Sequence, residues 1–217
     1  MARTGALLFL TLLLQSCGEA RTDPVDTTLP ETNQSVTHSP PANSAVAAPE
    51  PGIDLGGFIA FANFSQCEAA PSFARVLQGL LRFDEATGSA SAGPAIAVPG
   101  ADAPVRPHLR TERANEQGLQ MTEYEASLAM PVNATWHGLR VNRLVAAYLD
   151  VFESDDQNST AIEFRESPAR VQQVLAAHGM RVPLAPRFLE LEDEACGGSM
   201  QIAQRPGGAA LQCGYGC

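Results

Sequence analysis

The spacing of hydrophobic and polar positions changes several times along the chain. From Pro71 to Leu80, apolar side chains recur at three- and four-residue spacing, which predicts an amphipathic helix. A second helix is predicted from Ser167, which suits the N-cap position before Pro168, to Gly179, which suits a C-terminal cap. The pattern therefore predicts two helices, one in each half of the chain.

Short apolar or alternating runs predict the strands. They cover residues 57–62, 124–130, 139–152, 161–165, 189–193, 200–204 and 209–213, with a shorter run at 95–98. The rest of 85–118 is rich in small residues and then in charge, and we interpret it as mostly loop. The expected fold class is α+β: mainly an antiparallel sheet with about two helices, stapled by two disulfides.

A turn near the C-terminus gives the most specific structural prediction. Pro206 and Gly207 separate two alternating runs, which indicates a β-hairpin. If these two residues form the whole loop, counting outward along both strands places Cys196 opposite Cys217. A loop that is longer or shorter by one residue would change this register.

Five cysteines occur in the chain, and four of them lie in its C-terminal three quarters. The two-residue loop favours the pairs Cys196–Cys217 and Cys67–Cys213, with Cys196–Cys213 as the main alternative. Disulfides form in exported proteins, so this prediction depends on a secretory route.

The N-terminus indicates such a route. Residues 1–16 carry Arg3 and then an apolar run that is too short to span a bilayer, which needs about twenty residues, but suits a secretory signal. The sequence Leu14-Gln15-Ser16-Cys17 resembles the lipobox of bacterial lipoproteins. An ordinary signal peptide with an incidental Cys17 is the alternative.

The resemblance implies cleavage before Cys17, a diacylglycerol on its sulfur and a fatty acyl chain such as palmitate on its new amino group. Several acyl chains hold a protein firmly at a bilayer, whereas one holds it only marginally. Because Gly18 rather than Asp follows the cysteine, the enterobacterial sorting pattern implies the outer membrane. The expected location is the bacterial cell envelope, facing the periplasm.

Composition divides the remainder into two parts. Residues 17–52 hold six prolines, many Ser and Thr and no aromatic residue, so they are predicted to form a disordered tether behind the lipidated cysteine. Residues 53–217 carry 19 acids and 12 arginines and are long enough for a single globular domain. The sequence therefore predicts signal peptide, tether and one α+β domain.

The charged residues exclude several function classes. All 14 basic residues are arginines, and without lysine the Schiff-base, pyridoxal-phosphate and P-loop chemistries have no amine to use. A net charge of −10 argues against a nucleic-acid partner. No catalytic motif, metal-ligand set or cofactor motif is present, and no catalytic residue, metal or cofactor is predicted.

Two groups of residues remain as a candidate binding face. Trp136 and His137 precede Gly138 at the start of a long strand, where they could line a pocket, although a turn with Trp136 packed on the core explains them more simply. Glu190, Glu192 and Glu194 alternate, so a strand would place all three on one face. That face would suit a divalent ion or a basic partner. The alternative is that cross-strand arginines pair with these acids or that solvent hydrates them.

Three hypotheses about function follow. The leading one is a membrane-anchored envelope lipoprotein with a non-enzymatic binding or structural domain, whose partners are the bilayer, through Cys17, and an unidentified envelope protein or component. A specific version is an inhibitor of a cationic muramidase, which an acidic domain would suit. The alternative is a periplasm-facing hydrolase that uses carboxylates or His137, the acid–base groups left in a chain without lysine.

Overall fold

The computed structural model describes residues 52–84, 86–87, 89–116, 119–151, 157–191 and 197–216. Their strands are β1 (Ile53–Asp54), β2 (Phe61–Asn63), β3 (Glu68–Ala69), β4 (Leu81–Asp84), β5 (Ser89–Ala92), β6 (His108–Glu116), β7 (Leu119–Ala129), β8 (Ala134–Trp136), β9 (Leu139–Val151), β10 (Gln157–Phe164), β11 (Leu189–Leu191), β12 (Gly197–Arg205) and β13 (Gly208–Gly216). The helices are α1 (Pro71–Gln78) and α2 (Pro168–Ala177), and Phe64–Gln66 forms one 3₁₀ turn.

Nine of these strands form one sheet. Across it, β6 pairs with β7, β7 with β9, β9 with β10, β10 with β13, β13 with β12 and β12 with β11, all antiparallel. Strand β8 pairs with the first residues of β9, on the same side of β9 as β7. Strand β1 pairs with β8 in parallel. The α+β class with a mainly antiparallel sheet and two helices is therefore confirmed.

One face of this sheet carries the core. A row of side chains runs across five neighbouring strands and is buried: Leu128, Leu144, Ile162, Leu211 and Ile202. The helices cover this face and contribute Phe73, Val171 and Leu175, all of them at most 1% exposed. We call it the helix-covered face, and the opposite side of the same strands the open face.

Both predicted helices form where the spacing places them. Pro71 and Pro168 occupy first-turn positions, where the missing N–H of proline costs nothing. The Oγ atom of Ser167 accepts a hydrogen bond from the backbone N–H of Arg170 at 3.4 Å. Gly179, with φ +81°, follows α2 in the left-handed conformation that glycine adopts at little cost.

The C-terminal hairpin has the predicted register. Arg205 faces Gly208 across the loop of Pro206 and Gly207, and the pairing runs without a shift to Gly197 opposite Gly216. Cys196 precedes Gly197 and Cys217 follows Gly216 in the sequence, and both cysteines lie outside the described residues.

The disulfide between Cys67 and Cys213 is confirmed. It joins the end of the 3₁₀ turn to β13, and its two cysteines are 7% and 4% exposed within the core of the helix-covered face. The bond therefore ties the first described segments of the domain to its last strand.

The interpretation of residues 85–118 as mostly loop holds for residues 93–107, which lie outside the strands, but it misses a strand on each side of them. The nine-residue strand β6 follows them, and β5 pairs with β4 just before them. Charged side chains are tolerated in β6 because β7 is its one strand partner among the described residues. The expected strand at 95–98 is reduced to an isolated bridge between Ile96 and Val105. The run 57–62 is mainly a turn, and β2 begins at Phe61.

Candidate functional site

Trp136 is a core residue and does not contribute to a binding surface. Its side chain is 3% exposed, and its indole N–H donates a hydrogen bond to the backbone carbonyl of Ile59 at 2.9 Å. Its ring centroid lies 6.0 Å from that of Phe61 and 6.2 Å from that of Phe164. The alternative in which Trp136 packs on the core is therefore the observed one.

His137 lies at the tip of the tight turn that joins β8 to β9. It has φ +51° and the next residue, Gly138, has φ +76°, the pair of positive values that a two-residue hairpin loop with the twist of its strands requires. The imidazole is exposed and contacts two other rings. The centroid distances are 4.5 Å to Trp136 and 4.3 Å to His178.

The surroundings of His137 favour its neutral form. Partial burial lowers the pKa of His137, and the neighbouring His178 lowers it further, while Asp54 opposes both effects. His178 caps the C-terminal end of α2. The turn, the helix end and β1 thus bring two imidazoles and a carboxylate to one side of the domain.

Glu190 lies in a different place, on a groove of about 660 Å³. The groove follows the open face near the ends of six strands and is lined by Glu123, Ala147, Leu149, Asn158, Ser159, Phe188, Glu190, Leu191, Gly197, Gly198, Ser199, Gly214 and Tyr215. Glu192 and Glu194 lie outside the described residues. The structure therefore does not bring Glu190 together with Trp136 and His137.

Small side chains make this groove possible. Four of its lining residues are Gly or Ala, namely Ala147, Gly197, Gly198 and Gly214, and Ser159 and Ser199 are only slightly larger. A Cβ atom on Gly198 would meet the Cβ atom of Leu191 at 3.0 Å, and one on Gly214 would meet the Ser199 hydroxyl at 3.4 Å. A larger residue at Gly214 would therefore crowd Ser199 on the groove floor, whereas one at Gly198 would press on Leu191 at the edge of the core.

The charge of the groove is negative. Glu123 and Glu190 are its two charged lining residues, and both carry carboxylates. Phe188, which is 55% exposed, forms an apolar wall beside Glu190. Such a surface offers one aromatic contact and two ionic contacts to a positively charged partner.

Next to the groove, the open face carries a network of ion pairs. Arg143 forms two hydrogen bonds with Glu163, at 2.6 and 3.0 Å, and lies 3.9 Å from Glu125. The hydrogen bond to Glu163 raises the pKa of Arg143 above its usual value. Glu163 is only 7% exposed, and Arg143 therefore compensates the charge of a buried carboxylate. The acids of the groove are thus distinct from acids that arginines already neutralise.

A second depression, of about 680 Å³, lies on the other side of Phe188 between α2 and β11. Its charged lining residues are Arg181 and Arg187. The two depressions therefore have opposite charge, with the exposed ring of Phe188 on the wall of each.

The sequence pattern pointed to Glu190 but not to the rest of the groove. Glu123 and Phe188 carried no signal of their own, because a single acid in a strand and an aromatic residue in a loop are common. The available signal was the glycine density of β12 and β13 at the ends away from their turn, where Gly197 pairs with Gly216 and Gly214 pairs with Ser199.

No protein-family model matches the chain, and the searches of curated proteins and of solved structures found no match either. Among the described residues, no helix is long and apolar enough to cross a membrane. Within the same residues, no three or more His, Cys, Asp or Glu side chains are grouped so as to hold a metal ion.

Proposed function

We propose that the protein is a lipid-anchored lipoprotein of the bacterial envelope whose domain binds a positively charged partner protein in the groove of the open face. The observation that carries the binding role is the charge of that groove, in which Glu123 and Glu190 flank apolar and small residues. Basic residues of a partner would pair with these carboxylates, one at each end of the groove, and apolar neighbours would contact Phe188. Inhibition of a cationic muramidase is the specific version of this proposal.

The anchor is supported by the lipobox and by the length of the segment behind it. Lipid on Cys17 would hold the chain in the outer membrane, and residues 17–52 would separate the domain from the headgroups. The first described strand begins at Ile53, directly after that segment. A domain carried on such a tether could reach a partner in the periplasm.

The anchor is tested by replacing its acceptor. The wild-type mature chain is expected in the detergent phase of a phase-separation experiment, and Cys17→Ala is expected in the aqueous phase because it carries no acyl chain. A Cys196→Ala variant is the matched control and should remain in the detergent phase. A wild-type chain in the aqueous phase would contradict the lipid anchor and would leave the binding proposal unaffected.

The binding role is tested with the double variant Glu123→Gln/Glu190→Gln. The wild-type chain should inhibit a cationic lysozyme at stoichiometric excess, and the double variant should lose at least tenfold in affinity, since each truncated ion pair at a protein interface removes a favourable contact. Glu68→Gln, on β3, changes charge outside the groove and should bind like the wild type. Unchanged lysozyme activity with the wild-type chain would remove the muramidase version. A pull-down from envelope extract then tests other cationic partners. Equal capture of a partner by the wild type, the double variant and Glu68→Gln would contradict the groove as the binding site.

The hydrolase alternative has no comparable support. Its catalytic base would be His137, which lines neither the groove nor the depression between α2 and β11. The nearest ring partners of this imidazole are Trp136 and His178 rather than a nucleophile. We therefore propose binding and not hydrolysis.

We also propose that Cys196 and Cys217 form the second disulfide. The register of β12 and β13 supports it, because the pairing is regular up to Gly197 and Gly216, the residues next to these cysteines. Peptide mapping without reduction should recover the two cysteines in one linked fragment. Two free thiols at these positions would contradict the proposal.

A further inference from the structure

His137 and His178 form a pair that the sequence could not reveal. They lie on two different elements, the tip of the β8–β9 turn and the C-terminal end of α2, and their ring centroids are 4.3 Å apart. Both side chains are exposed. Neither residue lines the groove of the open face, so the pair is independent of the proposed function.

We propose that His137 and His178 together bind a transition-metal ion of tetragonal geometry, with Cu²⁺ as the preferred ion. Imidazole nitrogen is a good ligand for such ions, and Cu²⁺ binds more tightly than its neighbours in the first-row series. Water molecules would complete the coordination. The pair is a two-ligand site, exposed to solvent, and would capture the ion reversibly.

The distance between the rings selects the geometry. With metal–nitrogen bonds of about 2.0–2.1 Å, the centre of each imidazole lies roughly 3.2 Å from the metal. Two rings at about 90°, as in cis positions of a tetragonal ion, then have centroids roughly 4.5 Å apart, whereas a tetrahedral angle requires about 5.2 Å. The observed 4.3 Å fits the cis arrangement.

The rings need a small adjustment to bind. The two ring planes are inclined by 38°. To direct a nitrogen of each ring at one metal ion, both rings must rotate about the Cβ–Cγ bond, a torsion with broad, low-energy wells. Solvent exposure of both imidazoles leaves room for this rotation. His137 retains Trp136 on one side, which limits the directions in which its ring can turn.

The charge around the pair favours a cation. Asp54 interacts electrostatically with His137 and is exposed, so a cation bound by the two imidazoles would gain from this carboxylate. The whole chain has a net charge of −10, which raises the local concentration of cations. Asp54 need not coordinate the ion to contribute in this way.

The test is Cu²⁺ binding by the full mature chain, purified in detergent without a histidine tag. Calorimetry should give one principal site, and the electron paramagnetic resonance spectrum should show coupling to two imidazole nitrogens. His178→Ala and His137→Asn should each weaken binding at least tenfold and reduce the coupling to one nitrogen. Asparagine is chosen at position 137 because it tolerates the positive φ of the turn, so loss of binding would not reflect misfolding.

The matched control is His108→Ala, which removes an exposed histidine from the start of β6. It should leave the affinity for Cu²⁺ within twofold of the wild-type value. Circular dichroism of each variant should match the wild type. Retention of wild-type affinity by either His137→Asn or His178→Ala, or an equal loss in His108→Ala, would overturn the site.

Discussion

Replacing Cys67 and Cys213 together with alanine is expected to lower the free energy of unfolding by about 4–5 kcal/mol. The bond closes a loop between residues separated by 146 positions, and its removal releases the unfolded chain from that constraint. Both positions are buried, so the lost sulfur contacts act in the same direction. For a domain of ordinary stability this change is a large fraction of the total.

Chemical denaturation of the wild-type and double-alanine chains measures the effect. The midpoint should fall to much lower denaturant concentration. Cys196→Ala/Cys217→Ala is the informative comparison, because a disulfide between those residues would close a short loop and contribute less. Equal stability of the wild type and the Cys67→Ala/Cys213→Ala chain would contradict the structural role given to this bond.

Trp136→Ala is expected to destabilise the domain by about 3–5 kcal/mol, the usual cost of removing a large aromatic side chain from a core. The substitution would leave a cavity beside Phe61 and Phe164 and remove the donor to the Ile59 carbonyl. Trp136→Phe keeps a ring and should cost less, with roughly 1–3 kcal/mol from the unpaired carbonyl.

Thermal and chemical unfolding of the two variants separate packing from hydrogen bonding. His137→Asn is the control next to it in the sequence, and because its side chain is exposed the change should stay within about 0.5 kcal/mol. If Trp136→Ala unfolded at the same denaturant concentration as the control, Trp136 would not be the core residue described here.

The sequence predicted elements best where a local signal marked both ends. Helix α2 has Ser167 and Pro168 at its start and Gly179 after its end, and the helix formed between them. The C-terminal hairpin has Pro206 and Gly207 in its turn, and the register followed from that loop. In both cases the chemistry of the turn or cap, rather than the apolar pattern, located the element.

The sequence predicted elements poorly where tertiary contacts determine the secondary structure. Strand β6 is highly charged and has no apolar alternation, and it forms because β7 supplies backbone partners along its whole length. In contrast, residues 57–62 are apolar without being mainly a strand. Ile59 is buried in the turn before β2, where core packing determines its conformation.

In the candidate site, too, local sequence signals identify some residues and tertiary contacts alone bring in the others. Glu190 was found from its alternation with neighbouring acids, whereas Glu123 joins it only because β7 and β11 lie along the same groove. Likewise, a single-sequence pattern cannot reveal that His137 and His178 are neighbours. Their contact depends on how the β8–β9 turn meets the end of α2.

The position of β6 also affects how copies of the protein behave toward one another. A nine-residue strand with one strand partner among the described residues offers backbone groups on which another chain could build a strand, the usual route to aggregation. Arg110, Glu112 and Arg113 place charges along this strand, and Arg110 pairs with Glu112 at 2.6 Å. Approach of a second chain would have to desolvate those charges. The charges that make β6 unlike a strand in its sequence are therefore the ones that oppose the pairing of two copies along this strand.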